Sequence, residues 1–202
     1  MFCNISGAIL AGGANKRFNG ITKANIVIGG KTIISRITDT LKEIFDEIII
    51  VTNTPEEFKE YSHLKIVGDT ILKAGPIGGI HAALKSSESE AIFVFAGDMP
   101  LIRKDIIIRQ IDYFNAHNYD VLVPRLRNMI EPLHAIYKCS ISKTLDDFLH
   151  EGNSYAVIDF LKLINIGFMQ FDESIDIKNV FTNINSPADL GIIEKILGNS
   201  RI

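Results

Sequence analysis

The chain has 202 residues, 47% of them hydrophobic, and a formal net charge of −3. That length and apolar content suffice for one sizeable buried core, so one domain over residues 1–202 is expected. The balance of charge excludes general nucleic-acid binding, which needs basic residues spread over a face, and no apolar run approaches the roughly 20 residues that span a bilayer.

Taken in chain order, short apolar runs alternate with amphipathic stretches. Ile5–Leu10 reads as a buried strand. Residues 11–31 form a long connection with little helical pattern, and residues 33–45 carry helical apolar spacing at 33, 34, 37, 41, 44 and 45. A second strand is expected at 47–52, and Pro55 then opens a short helix to about Tyr61. A strand at 64–67, a helix at 77–86 and a strand at 91–96 follow, then a helix at 104–117 and a strand at 120–124. Beyond Pro124 the rhythm changes: 133–137 suggests an antiparallel strand, 141–150 and 155–162 are helical, 165–171 is a strand, and 187–197 is a helix with Ser186 as N-cap. Continuous apolar strands between amphipathic helices predict an α/β fold, a three-layer αβα arrangement around a mostly parallel, Rossmann-like sheet.

In such sheets ligands bind beyond the carboxyl ends of the strands. Gly12, Gly13, Asn53, Asp69 and Asp98 all follow expected strand ends, which points to one site. No acidic residue precedes Asp39, whereas Lys16, Arg17, Lys23, Lys31 and Arg36 do. A glycine-rich, purely basic loop after a buried strand suits a polyphosphate, because backbone N–H groups approach its oxygens and cations neutralise them. The loop is neither a Walker A sequence nor a G-x-G-x-x-G fingerprint. Asp98 either holds a divalent metal against phosphate or caps a helix beginning near residue 101. Asp69 and Asn53 carry the same ambiguity, the latter as a turn residue before Pro55. Gly75-Pro76-Ile77-Gly78-Gly79 marks either close backbone approach to a ligand or a tight turn. Arg125 and Arg127 flank a strand end, where a second anion or plain solvent would meet them. The histidines at 63, 81, 117, 134 and 150 show no metal-ligand spacing, and Cys3 and Cys139 indicate neither a disulfide framework nor a zinc site. With no signal-peptide pattern, a cytoplasmic protein is expected.

These segments resemble a known family. Leu10-Ala11-Gly12-Gly13, then Arg17 and Lys23, is similar to the signature of nucleotidyltransferases with the nucleotide-diphosphate-sugar transferase fold. Gly75–Ile80, Gly97-Asp98-Met99-Pro100, Glu131-Pro132-Leu133-His134-Ala135-Ile136-Tyr137 and Asn183-Ile184-Asn185-Ser186-Pro187 follow in order, and together they resemble the molybdenum cofactor guanylyltransferase (MobA) family. The family usually has Asp before the lysine, where this chain has Thr22, so a local counter-charge is missing. The resemblance implies GTP and Mo-molybdopterin as substrates and Mg2+ as cofactor. It implies nucleotide contacts at Leu10, Ala11, Gly12, Gly13, Lys23, Asn53, Asp69 and Asp98, metal on Asp98, and catalytic roles for Arg17, Lys23 and Asp98. Segments 131–137 and 183–185 would shape the pterin side, and a labile product implies cofactor-delivery or apoenzyme partners. The alternatives are a related transferase using CTP or another phosphorylated acceptor, and a non-catalytic nucleotide-binding protein of the same fold.

Overall fold

A computed structural model of the protein describes residues 4–12, 22–71 and 73–199. Its central strand is β1 (Ile5–Leu10), bounded as the apolar run predicts. A 3-10 turn at Lys23–Asn25 and a small hairpin, β2 (Val27–Ile28) with β3 (Lys31–Thr32), then occupy a stretch that the sequence offered only as a connection. Gly29 and Gly30 close this hairpin with φ of 55° and 81°. Two successive left-handed residues are what a tight hairpin turn requires, so Gly-Gly between Val27-Ile28 and Lys31-Thr32 is the available signal.

Helix α1 (Ile33–Leu41) starts where the Thr32 hydroxyl accepts the Ser35 N–H at 3.2 Å, and it buries Ile33, Ile34, Ile37 and Leu41. It ends earlier than its apolar spacing suggests. Tighter turns carry the chain on to Phe45, which still packs in the core. Then come β4 (Ile48–Val51), a 3-10 segment at Pro55–Tyr61, β5 (Lys65–Val67), α2 (Pro76–Ser86), β6 (Ala91–Ala96), α3 (Lys104–Asn115) and β7 (Val121–Leu126). The last third holds β8 (Met129–Ile130), β9 (His134–Lys138), α4 (Ser142–Glu151), α5 (Val157–Leu161), β10 (Ile166–Gln170), α6 (Ile175–Val180) and α7 (Pro187–Asn199). Strand β8 and helix α6 were not foreseen, being too short to show a period. Before α7, the Asp189 carboxylate accepts the N–H groups of Asn185 and Ser186, both at 2.8 Å.

The sheet order is β10-β7-β9-β6-β1-β4-β5, with β8 paired to β7. All main-path pairs are parallel except those of β9, which runs antiparallel between β6 and β7, as the change of rhythm after Pro124 suggested. Successive strand residues point to opposite faces. Phe93 and Phe95 of β6 therefore pack on one side with α1, α3, α6 and α7, while Ile92 and Val94 pack on the other with α2, α4 and α5. This is a three-layer α/β fold. No helix among the described residues is long and apolar enough to cross a membrane.

Candidate active site

From β1 the chain moves outward through β4 to β5, and then returns to place β6 on the opposite side of β1. The strand order thus reverses between β1 and β6, and in open α/β sheets the ligand crevice opens at the carboxyl ends of such a pair. Here those ends are knitted tightly: Gly97 N–H donates to the Leu10 carbonyl at 2.9 Å, and Ala11 N–H to that of Val51 at 2.8 Å. A Cβ at position 97 would lie 2.8 Å from the Leu10 carbonyl oxygen and 3.1 Å from Ala11 Cα. Only glycine permits this approach, which sets Asp98 beside the chain leaving β1. At Gly12, by contrast, an added Cβ would meet nothing within 4 Å among the described residues, and the residue is exposed.

A cavity of about 670 Å³ occupies the crevice. Leu10, Ala11, Gly12, Lys23, Asn53, Asp69 and Asp98 all line it, from five separate stretches of sequence. Gly13 and Arg17 lie outside the described residues. Lys23 Nζ donates to Asp98 Oδ2 at 2.8 Å and to Asn185 Oδ1 at 3.1 Å. Asp98 is no helix cap, because α3 begins only at Lys104 after Arg103. Asn53 and Asp69 bond reciprocally across the loops after β4 and β5: Asn53 Nδ2 donates to Asp69 Oδ2 at 3.0 Å, and Asp69 N–H to Asn53 Oδ1 at 2.9 Å.

Glu57 and Lys73 carry no sequence signal, whereas Asn185 and Glu131 belong to the segments 183–185 and 131–137 expected on the pterin side. Glu57 reaches the cavity from the 3-10 segment, and bonds from Thr22, Thr54 and Asn25 hold its carboxyl below the ordinary range. Lys73 lines the same wall. Asn185 is held by Asp189 and by its neighbour Ile184, whose N–H donates to the Asp98 carbonyl at 2.9 Å. Burial pushes the Glu131 carboxyl up, and the nearby Asp98 carboxylate adds to this, against the Leu133 N–H that donates to Glu131 Oε1 at 3.2 Å. Arg125 and Arg127 are not bare solvent groups. The Arg125 guanidinium lies 3.6 Å from the centre of the Phe168 ring, and Arg127 pairs with Glu173.

Among the described residues no three His, Cys, Asp or Glu side chains gather to hold a metal on their own. The Asp98 carboxylate and the Asn185 carbonyl oxygen, both bonded to one ammonium, are hard oxygen donors. Such a pair suits a divalent cation whose remaining ligands are phosphate and water.

Residues 7–164 match the family model described as the MobA-like NTP transferase domain. The chain is 35% identical, over 98% of both proteins, to a probable molybdenum cofactor guanylyltransferase of Natranaerobius thermophilus. In fold it is similar to the molybdopterin-guanine dinucleotide biosynthesis protein A of Archaeoglobus fulgidus, with a TM-score of 0.81 and 24% identity over 96% of this chain and 99% of that one. A Mycobacterium tuberculosis protein solved as a complex with manganese shares the fold at a TM-score of 0.69 and 16% identity, over 95% and 98% of the two chains.

Proposed function

The chain belongs to the MobA-like NTP transferase domain family, and from that premise we propose that it transfers the guanylyl group of GTP to molybdenum-bearing molybdopterin. The products are molybdopterin guanine dinucleotide and pyrophosphate. One observation carries the reading: Lys23 Nζ and Asp98 Oδ2 meet at 2.8 Å across the strand-order reversal, in one cavity with the backbone of residues 10–12.

The acceptor's terminal phosphate oxygen forms a new bond to the α-phosphorus of GTP, and the bond from that phosphorus to the bridging oxygen breaks, pyrophosphate leaving with the electron pair. The attacking phosphate is already ionised near neutrality, so the site needs no strong general base. Catalysis rests on positioning and charge stabilisation. The exposed backbone at Gly12 receives the triphosphate, the family signature gives Gly13 the same role, and Arg17 and Lys23 offset the charge. Asn53 and Asp69 hold the nucleoside end. Asp98, with Asn185 beside it, fits a bound Mg2+, which would screen the phosphate oxygens from one another. Lys23 must then exchange its carboxylate partner for a phosphate oxygen, a change its long side chain accommodates.

The test is incubation of the purified protein with GTP, Mo-molybdopterin and magnesium. Pyrophosphate release and a guanine dinucleotide product by mass spectrometry are expected. A thermal-shift series with GTP, CTP, ATP and UTP should favour GTP, since a ligand that binds only the folded state raises its apparent stability. Preference for CTP, or no response to any nucleotide, would overturn the assignment.

A further inference from the structure

Asp69, on the wall of the cavity, rests on the first turn of α2. A Cβ added at Gly79 would lie 3.7 Å from Asp69 Oδ1, and one at Gly78 3.9 Å from its Cγ. On the next part of the same helix sits His81, only 5% exposed and absent from the cavity lining. Its Nδ1 is 3.0 Å from the Thr70 hydroxyl, and its Nε2 is 2.5 Å from Asp146 Oδ1 on α4. The second Asp146 oxygen takes Lys85 Nζ. A carboxylate can only accept, so Nε2 carries a proton, and Nδ1 shares a hydrogen bond with the Thr70 hydroxyl, which can serve as donor or acceptor. Lys85 already balances the Asp146 charge.

To the packing of this apolar helix face an imidazole adds little that a leucine would not; what it adds is two hydrogen bonds. Its effect falls on the loop. Between β5 and α2 the chain is constrained by unusual backbone, with φ of 66° at Lys73 and 68° at Gly75, and it contributes Asp69 and Lys73 to the cavity. Asn53 holds Asp69 from the β4 side, and His81 holds the adjacent Thr70 from the helix side. Two consecutive residues are therefore tied in different directions, which fixes how the Asp69 carboxylate is presented. We infer that His81, backed by Asp146, is a positioning residue for the nucleotide wall of the cavity. It governs nucleotide affinity and leaves the chemical step alone. The inference rests on the reading that this cavity takes a nucleoside triphosphate.

Two measurements separate that inference from the reading beneath it. The first needs no ligand: exchange of the Asp69 amide, which donates to Asn53 Oδ1, followed by NMR in the full chain. Thr70→Val removes only a hydroxyl from an exposed residue, and His81→Leu leaves Asp146 paired with Lys85. Both should speed Asp69 exchange about tenfold, whereas Thr70→Ser should match the wild type. Unchanged exchange in Thr70→Val and His81→Leu overturns the inference whatever the nucleotide data. The second is GTP affinity by calorimetry with steady-state KM and kcat. Both variants should raise Kd and KM about tenfold with kcat within twofold, and Thr70→Ser should restore both constants. A fall in kcat at unchanged KM, or equal losses in Thr70→Ser, overturns the inference. Faster exchange in the variants of a wild type that binds no nucleotide would instead overturn the functional reading.

Discussion

Lys23 Nζ sits 2.8 Å from Asp98 Oδ2, and the two side chains come from strand-end loops 75 residues apart that converge on one cavity. The pair is about three-quarters buried, with side-chain exposures of 26% and 20%. Its worth to folding is modest, because desolvation of both ions offsets much of their attraction. Its worth to function is larger, since each charge stands ready for a triphosphate. Lys23→Ala and Asp98→Ala should each lower kcat/KM for magnesium-dependent pyrophosphate release by about a hundredfold, equivalent to roughly 3 kcal/mol of transition-state stabilisation. Near wild-type turnover in both variants would remove these residues from the machinery.

The reciprocal bonds of Asn53 and Asp69 predict a different kinetic signature. Asn53→Ala takes away a donor and an acceptor together and frees the Asp69 carboxylate from its partner. GTP affinity should fall about tenfold, or roughly 1.4 kcal/mol, while kcat at saturating GTP changes little. Calorimetric Kd and the split between KM and kcat check this. An unchanged Kd would confine the pair to joining two loops.

Gly97 tests whether the convergence of β1 and β6 shapes the site. The nearest atoms to an added Cβ are backbone, which cannot swing aside. Gly97→Ala should therefore part the two strand ends, costing about 1–3 kcal/mol by urea unfolding and weakening GTP binding in the same variant. Gly12→Ala, whose Cβ would meet none of the described residues within 4 Å, should retain wild-type stability and lose only affinity. If both variants are equally stable, the packing argument at 97 is wrong.

How far the sequence revealed this arrangement depended on the range of the interaction. Ile5–Leu10 and Ala91–Ala96 were bounded correctly because strands buried on both faces are continuous apolar runs. Asp98 is legible as a strand-end carboxylate, but sequence alone leaves the metal and helix-cap readings level; the start of α3 only at Lys104 removes the cap. Glu57 had no local signal, and Asn185 stood out only as part of the 183–187 segment, on the pterin side rather than beside Lys23. Glu57 sits in a short acidic turn like any exposed one, and Asn185 reaches Lys23 from 162 residues away. The β2–β3 hairpin has two-residue strands, too short to show a period, and its Gly29-Gly30 turn lies at the end of a long glycine-containing connection.

His134 supplies the last prediction, through acid stability. It is fully buried, its ring lies edge-on to Phe93, Phe95 and Phe181, and neither ring nitrogen has a hydrogen-bond partner among the described residues. Burial pulls its pKa down from 6.5 to about 4. Between those values the unfolded chain takes up a proton at this residue and the folded chain does not. Stability from this group is thus fully present above pH 6.5 and drains away as the pH falls toward 4, by about 3 kcal/mol in all. Other groups also titrate in acid, so the comparison must be with a variant that lacks only this one. His134→Leu places an apolar side chain in an apolar site and strands no partner, since no described side chain bonds to the ring. Urea unfolding from pH 8 to 4.5 should give a shallower loss of stability in His134→Leu than in the wild type, the two curves drawing apart below pH 6.5. Parallel curves across that range would mean that the imidazole is protonated in the fold and has found an acceptor among its neighbours.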